Sequence, residues 1–528
     1  MTTLRRTSHV SADRAERYRA EGWWNNRRLT DGIEAAAASR PHAVALVDDH
    51  RTLTCRDLAD RVGMVASRFE HLAAQAVDGV VLIAGNTVGA AVVYHALLRL
   101  GVPMALLDRR CGAADLEVAL DALRGTNVVI LPESQTARLS TGLIDVDTIT
   151  IEDLDGDAPV PTTRRASEPD RDAPAVVLFT SGTTDRPKGV VHSLNTLTAG
   201  ADNMARITAT DDRAVVYLVS PLASITGVMQ MHLAADRRAT LVLDDAFDPA
   251  RSRDRINARR ATLLGGAPVI AERLLQEAVR RGDSRIALRT LALGGSMLPM
   301  PLLELASDRF GIDVARVYGS SEAPNATGSL PGEERSTRLA DDGSLMPGTE
   351  VRVGSASHPQ EGLLRGPGVF LGYSDPEHDH EAFEDGWFRT GDMVEVHGGR
   401  LTVIGRIKDV ISRNGLKFSP SEIDAAVQGL PGVAEFASFG VPDAETGERL
   451  VVAVRAEPTV SITLDNVCDH LRAAGIATRK FPEQLVVWDV PLPRTASGKI
   501  IRSRLVMESH GRPDECAPRV RDLRARTT

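Results

Sequence analysis

The chain has 528 residues, 43% of them hydrophobic and 25% charged, with a formal net charge of -9. That is enough apolar material for a sizeable core, and it excludes a disordered, collagen-like or coiled-coil chain. The mild acidity (62 Lys+Arg against 71 Asp+Glu) also argues against a nucleic-acid partner, which needs a basic face.

At about 150 residues per domain the length predicts three or four domain-sized units. Residues 1–25 contain arginines but no apolar core of a secretory signal. The longest apolar stretch, 80–107, is interrupted by Gly85-Asn86, His95, Arg99 and Gly101-Val102-Pro103, so it reads as strand, turn, helix and strand rather than a membrane span. In chain order, strands are predicted at 80–84, 104–107, 128–131, 175–179 and 239–243, with a helix from Val88 to Leu100 ended by Gly101. This alternation predicts βαβ units and largely parallel sheets covered by helices. Residues 159–173 read as a surface connection, and the basic tail (Arg512, Arg519, Arg521, Arg524, Arg526) as a solvated, frayed terminus. The four cysteines (Cys55, Cys111, Cys468, Cys516) are far apart without a CxxC pair, which fits a reducing cytoplasm and no zinc site.

Glycine-rich polar turns at 366–368, 385–387 and 397–400 lead into Gly405-Arg406-Ile407-Lys408-Asp409. About 120 residues follow, the size of one independent domain. The predicted division is therefore 1–406 and 407–528.

The strongest local signal is Phe179-Thr180-Ser181-Gly182-Thr183-Thr184-Asp185-Arg186-Pro187-Lys188-Gly189, directly after a predicted strand. Glycines let backbone N–H groups approach an anion, hydroxyls donate to phosphate oxygens, and Lys188 adds positive charge. Pro187 stands where a Walker A loop requires glycine, so this is a different kind of polyphosphate loop. There is no G-x-S-x-G and no G-x-G-x-x-G, which leaves a serine hydrolase or a dinucleotide fold unsupported. His378-Asp379-His380 reads as a solvated segment rather than a metal site.

The loop resembles the signature of the acyl-adenylate-forming superfamily, which comprises acyl-CoA synthetases, adenylation domains and luciferases. Further matches follow in that family's order: Tyr318-Gly319-Ser320-Ser321-Glu322, Trp387-Phe388-Arg389-Thr390-Gly391-Asp392, Gly405 to Asp409, and Pro493-Arg494-Thr495-Ala496-Ser497-Gly498-Lys499-Ile500. The resemblance implies a large N-terminal domain of packed α/β sheets and a small, mobile α+β C-terminal domain. It implies ATP and Mg²⁺, with CoA as co-substrate. Lys499 would bridge carboxylate and α-phosphate, and Glu322 would hold the metal. Thr180, Ser181, Gly182, Thr183, Thr184 and Lys188 would surround the phosphates. Asp392 and Arg406 would read the ribose. Tyr318 would stack on adenine, with Gly294, Gly295 and Ser296 opposite and Gly319, Ser320 and Ser321 beside it. Lys408 would be the hinge, and Gly415 part of the thiol tunnel. The chemistry fits: a carboxylate attacking a phosphate needs positive charge where the two anions meet, and close alignment.

Ser220, Ser224, Ile225 and Gly294 would line the acyl pocket. Many members of that superfamily carry histidine or an aromatic residue where this chain has Ser224. Ile225 stands where amino-acid-activating members place an aspartate, and an ammonium buried beside it would be unpaired. A small apolar or aryl carboxylic acid is expected, and the N-terminal Tyr18 to Trp24 segment resembles the aryl-acid and alicyclic-acid ligases. With no carrier domain after Ile500, the acceptor would be CoA, with a separate carrier protein in a biosynthetic assembly line as second choice. Activation of an oxyacid such as nitrite is a third reading that Ser224 permits, and a dead nucleotide-binding regulator is disfavoured by Lys499, Glu322 and Asp392. No membrane insertion is expected, and a homodimer is admitted without being required.

Overall fold

Continuous runs of Val, Leu and Ile form strands that are buried on both faces, the pattern of parallel sheets between helices. In the computed structural model, which describes the chain except residues 1–3, 5–8, 73–76, 126, 140–145, 157–168, 181–186, 296–297, 299, 496–498 and 528, the described strands assemble into three sheets. One seven-stranded sheet runs in the order Gly372–Tyr373, Lys188–Ser193, Pro174–Thr180, Met104–Asp108, Gly79–Ala84, Asn127–Leu131, Asp147–Thr150. Its last five strands are parallel, whereas Pro174–Thr180 and Lys188–Ser193 form an antiparallel hairpin. The predicted helix occurs as Val88–Leu100, capped by the Thr87 hydroxyl and ended at Gly101, whose φ of +70° suits glycine.

That helix is buried from Val88 to Leu98 because it lies between two sheets. One apolar cluster joins its Val92 and Leu97 to Leu82 and Leu106 of the first sheet and to Leu218 and Leu241 of a second. The second sheet has a parallel half, in the order Val44–Val47, Thr240–Leu243, Val215–Leu218, Leu263–Gly266, Thr290–Gly294, Asp313–Tyr318. Antiparallel strands continue it through Arg400–Arg406 and Trp387–His397. Four carboxyl-terminal strand ends, at Leu218, Gly266, Gly294 and Tyr318, therefore line one edge, where open α/β sheets bind ligands.

The chain leaves the second sheet at Arg406, makes a single turn at Ile407–Asp409 and enters the third sheet at Ile411–Arg413. The third sheet has its own apolar clusters, one centred on Ile411, Val452 and Leu485 and the other on Phe439, Val486 and Trp488.

Two expectations need correction. The basic tail is not a frayed terminus: Pro518–Thr527 is a helix, Val520 is buried, and Arg519 bonds Glu483, Asp443 and Glu445. Nor is all of 159–173 surface. Residues 157–168 lie outside the described residues, but Arg171 is buried and Pro169 packs on Gly101. Among the described residues no helix is long and apolar enough to cross a membrane.

Candidate active site

The predicted phosphate loop joins the hairpin strands Pro174–Thr180 and Lys188–Ser193. Thr180 and Lys188 face each other across its base in register. Ser181, Gly182, Thr183 and Thr184 lie outside the described residues, as does Ser296. The Lys188 ammonium sits 5.3 Å from the centre of the Tyr373 ring. Tyr373 donates its hydroxyl to Glu322 Oε1 at 2.9 Å. Burial and the Glu322 charge both hold the Tyr373 hydroxyl above the usual tyrosine range, so it remains a donor.

Glu322 closes a tight turn at the end of Asp313–Tyr318. The Ser320 hydroxyl accepts from the backbone N–H of Glu322 (3.2 Å) and of Ala323 (3.3 Å). A side chain at Gly319 would collide with Ala323 O and Asn325 N, both 2.6 Å from its Cβ position. Ser320 thus acts through the turn's geometry.

Asp392, only 5% exposed, is the hub of the next group. Its Oδ2 accepts from the Tyr318 hydroxyl and its Oδ1 from Arg406 Nε, both at 2.9 Å. Burial and the Asp392 carboxylate push the Tyr318 hydroxyl well up. Burial opposes the Arg406 charge, but the same carboxylate outweighs it and raises the guanidinium. Tyr318 is adjacent to the Gly294-Gly295 strand end, because Gly294 pairs with Val317 in parallel register. A Cβ at Gly294 would lie 2.2 Å from Val317 O, so glycine is required there.

Lys499 reaches this edge from the third-sheet lobe. Its hairpin is closed by Thr495 N to Lys499 O (2.8 Å), Ile501 N to Pro493 O (2.9 Å) and the Arg494–Ile500 bridge. The Lys499 Cε lies 3.1 Å and Nζ 3.7 Å from the Cβ position of Gly295, whose φ is +81°. Burial, helped by Arg406, lowers the ammonium from its ordinary value, and Asp392 and Glu322 pull the other way. Lys499, Gly295, Arg406, Asp392 and Glu322 therefore share one electrostatic neighbourhood contributed by both lobes. Lys408, in the Ile407–Asp409 turn, is lowered by burial and by Arg406. Gly415 lies at a two-residue turn between Ile411–Arg413 and Leu416–Phe418, where φ is +51° at Asn414 and +77° at Gly415.

Ser224 caps helix Ile225–Arg237: its hydroxyl accepts from Gly227 N (3.1 Å) and donates to Pro221 O (2.6 Å). Serine there reads locally as a helix start. Ser220 lies beside the next strand end, its Oγ 3.3 Å from the Cβ position of Gly266. Ile225 is half-buried and packs against the large apolar cluster. Asn86 pins this loop, accepting from Leu222 N (2.7 Å) and donating to Ser220 O (2.9 Å) and Asp244 O (3.0 Å). Gln230 bridges the helix to the strand end by donating to Gly265 O (3.1 Å).

Sequence reasoning passed over Tyr373, Asn86 and Gln230. Gly85-Asn86 reads only as an interruption of an apolar run, and Tyr373 carries no local sign of its distant partner. In the His378-Asp379-His380 segment, Asp379 is buried, accepts from Tyr373 N (2.8 Å) and meets His9 at 3.2 Å. The described residues hold no group of three or more His, Cys, Asp or Glu that could bind a metal.

An edge of glycines, hydroxyls and an acid, with a lysine entering from a second lobe, is the architecture of an adenylate-forming ligase. The chain belongs to the AMP-binding enzyme family: that family's model matches residues 33–374, and the AMP-binding enzyme C-terminal domain matches 422–499. It is 31% identical to a salicylyl-CoA synthase/salicylate adenylyltransferase from Streptomyces sp, over 95% of this chain and 97% of that protein. It is 30% identical to a feruloyl-CoA synthase from Amycolatopsis sp, over 89% and 96% respectively. The ATP-bound MatB of Rhodopseudomonas palustris shares the fold with a TM-score of 0.82, at 24% identity over 92% of this chain and 99% of that one.

Proposed function

We propose that the protein activates a small apolar or aryl carboxylic acid with ATP, releasing pyrophosphate and holding the acyl-adenylate, and then transfers the acyl group to the thiol of CoA. The relatives, named as CoA ligases of aryl acids, support this class of reaction. The observation that carries the reading is the entry of Lys499 from the small lobe to Gly295 at the carboxyl edge of the large-lobe sheet.

In this reading Lys499 neutralises the charge shared by the attacking carboxylate and the α-phosphate. Its effect is large because the site is buried and the field is preorganised. Asp392 keeps acceptor lone pairs beyond those used by Tyr318 and Arg406, and takes the ribose hydroxyls. Lys188 and Thr180 face the phosphate side of the hairpin. Glu322 fits a hard divalent cation: Oε1 is held by Tyr373, while Oε2 takes no hydrogen bond among the described residues. Mg²⁺ is commonly held by one or two carboxylates with phosphate oxygens completing its shell, and it supplies charge neutralisation on the polyphosphate.

Ser220, Ser224, Ile225 and Gly294 form the acyl side, where Ile225 disfavours an α-ammonium. Lys408 sits at the crossing between sheets and serves as the hinge by which the lobe exchanges Lys499 for the face bearing Gly415. We assign the division at 406–407 on the same ground. A separate carrier protein is the second choice of acceptor, and a cytoplasmic location completes the reading, with a homodimer admitted.

The test is pyrophosphate release from ATP and Mg²⁺ with a panel of aryl, alicyclic and short-chain acids, followed by addition of CoA. Acid-dependent release and a CoA thioester are expected. Turnover with nitrite and an amine alone, or nucleotide binding without release for any acid, would replace this reading by another.

A further inference from the structure

Glu322 is fastened to strand Lys188–Ser193 from two directions. On one side, Gly372 and Tyr373 pair with Val191 and Val190, and Tyr373 then reaches Glu322 Oε1. On the other, His192 extends from the same strand to the carbonyl of Ser321, the residue just before Glu322, with Nε2 to O at 2.7 Å. The His192 ring is fully buried, and its Nδ1 lies 3.0 Å from Thr196 Oγ1.

A carbonyl oxygen only accepts, so Nε2 carries the proton, and Nδ1, beside the Thr196 hydroxyl, is left without one. Burial brings this imidazole down to about 4, so it stays neutral at ordinary pH and keeps one defined tautomer. Phe370 N donates to Glu322 O at 2.8 Å, fixing the next carbonyl along. Strand Lys188–Ser193 thus carries Lys188, which lies over the Tyr373 ring, and, through His192, sets the backbone that leads into Glu322.

We propose that His192 is a positioning residue for the divalent metal that accompanies ATP: its Nε2–H anchors the Ser321 carbonyl and thereby holds Glu322 at the metal. This rests on the reading of Glu322 given above. His192 is fully buried and bonds the residue before Glu322 rather than Glu322 itself, so its loss should weaken metal-dependent binding selectively. Outer-shell hydrogen bonds of this kind commonly change metal affinity by about tenfold or more.

The test compares His192→Gln, whose amide N–H can reach the carbonyl, with His192→Asn, which is polar but too short. Calorimetric titration of full-length protein would measure AMP without metal, then ATP with increasing Mg²⁺. Half-saturating Mg²⁺ should rise about tenfold in His192→Asn and stay within about twofold of wild type in His192→Gln, with AMP affinity little changed in both. Equal Mg²⁺ shifts in the two variants, no shift in His192→Asn, or a parallel loss of AMP binding would overturn the role of His192. Wild-type ATP binding that is indifferent to Mg²⁺ would instead remove the reading of Glu322, and this proposal with it. If His192→Asn does not fold, His192→Gln decides: a Mg²⁺ requirement shifted as far as about tenfold, despite a retained donor, contradicts the anchor.

Discussion

Gly295→Ala isolates the contact between the lobes. The residue has φ of +81°, a region that an alanine enters at a cost of about 1–2 kcal/mol. The new methyl would lie 3.1 Å from Lys499 Cε and 3.7 Å from Nζ, so the end of the lysine must shift by a few tenths of an ångström. A flexible side chain makes that shift at small cost in stability, but the ammonium is then out of place between carboxylate and α-phosphate. Misplacement of a reacting group by about 1 Å can cost about 100-fold, so a shift of a few tenths of an ångström should lower acyl-adenylate formation by about 3- to 10-fold. Transfer to CoA from a supplied acyl-adenylate uses the other arrangement of the small lobe, in which Lys499 no longer stands beside Gly295, and should fall by clearly less than acyl-adenylate formation does. Pyrophosphate release and single-turnover thioester formation measure the two halves. In a Lys499→Ala background the glycine substitution should add almost nothing to the adenylation defect, since both act on one contact. An equal loss in both half-reactions, or an undiminished effect in the Lys499→Ala background, would refute the reasoning.

Three other outcomes follow from the same geometry. Lys499 carries a lowered pKa, so adenylate formation should decline with rising pH at a midpoint below the ordinary lysine value near 10.4, and Lys499→Ala should abolish that limb of the pH–rate profile. The sign for stability is the reverse: the unfolded chain binds the proton more tightly, so this group's contribution improves as pH rises between the folded and unfolded values. Asp392→Asn removes the charge facing Arg406 and turns one of the two acceptor oxygens into a donor, so Tyr318 and Arg406 can no longer both be accepted; AMP affinity measured by calorimetry should fall by about tenfold or more. Arg519→Ala leaves the buried Asp443 with Arg449, at 3.4 Å, as its remaining guanidinium and should destabilise the small lobe by about 1.5–3 kcal/mol in denaturant unfolding, without altering AMP affinity. Asp443 is held well below the ordinary aspartate range, by hydrogen bonds from Arg519 and Thr446 that outweigh its burial. Its contribution is therefore full above that range and is lost as pH falls through the folded value.

What was legible in the sequence is what depends on neighbours along the chain. Residues 80–84, 104–107 and 128–131 are apolar runs buried on both faces, and Val88–Leu100 carries its own cap and its own terminating glycine. Chemistry concentrated in a short motif was equally readable, as with Asp392 or the Lys499 hairpin. Partnerships across the fold were not. Tyr373 meets Glu322 across 51 positions, His192 meets Ser321 across 129, and Asn86 reaches Ser220 across 134, and no periodicity encodes those approaches. The tail misled for a related reason. Its arginines suggest solvation until folding brings Asp443, Glu445 and Glu483 beside Arg519. Ser224 is legible at two levels: as a helix cap from its local setting, and as a departure in the acyl pocket through resemblance alone.

The central claim is that both lobes converge on a single nucleotide. Crystallisation with a bound acyl-adenylate analogue tests it directly. The purine should lie between Tyr318 and the Gly294-Gly295 edge, the ribose against Asp392, and the Lys499 ammonium against the acyl-phosphate junction. A nucleotide seated away from Tyr318 and Asp392, with Lys499 directed into solvent, would contradict it.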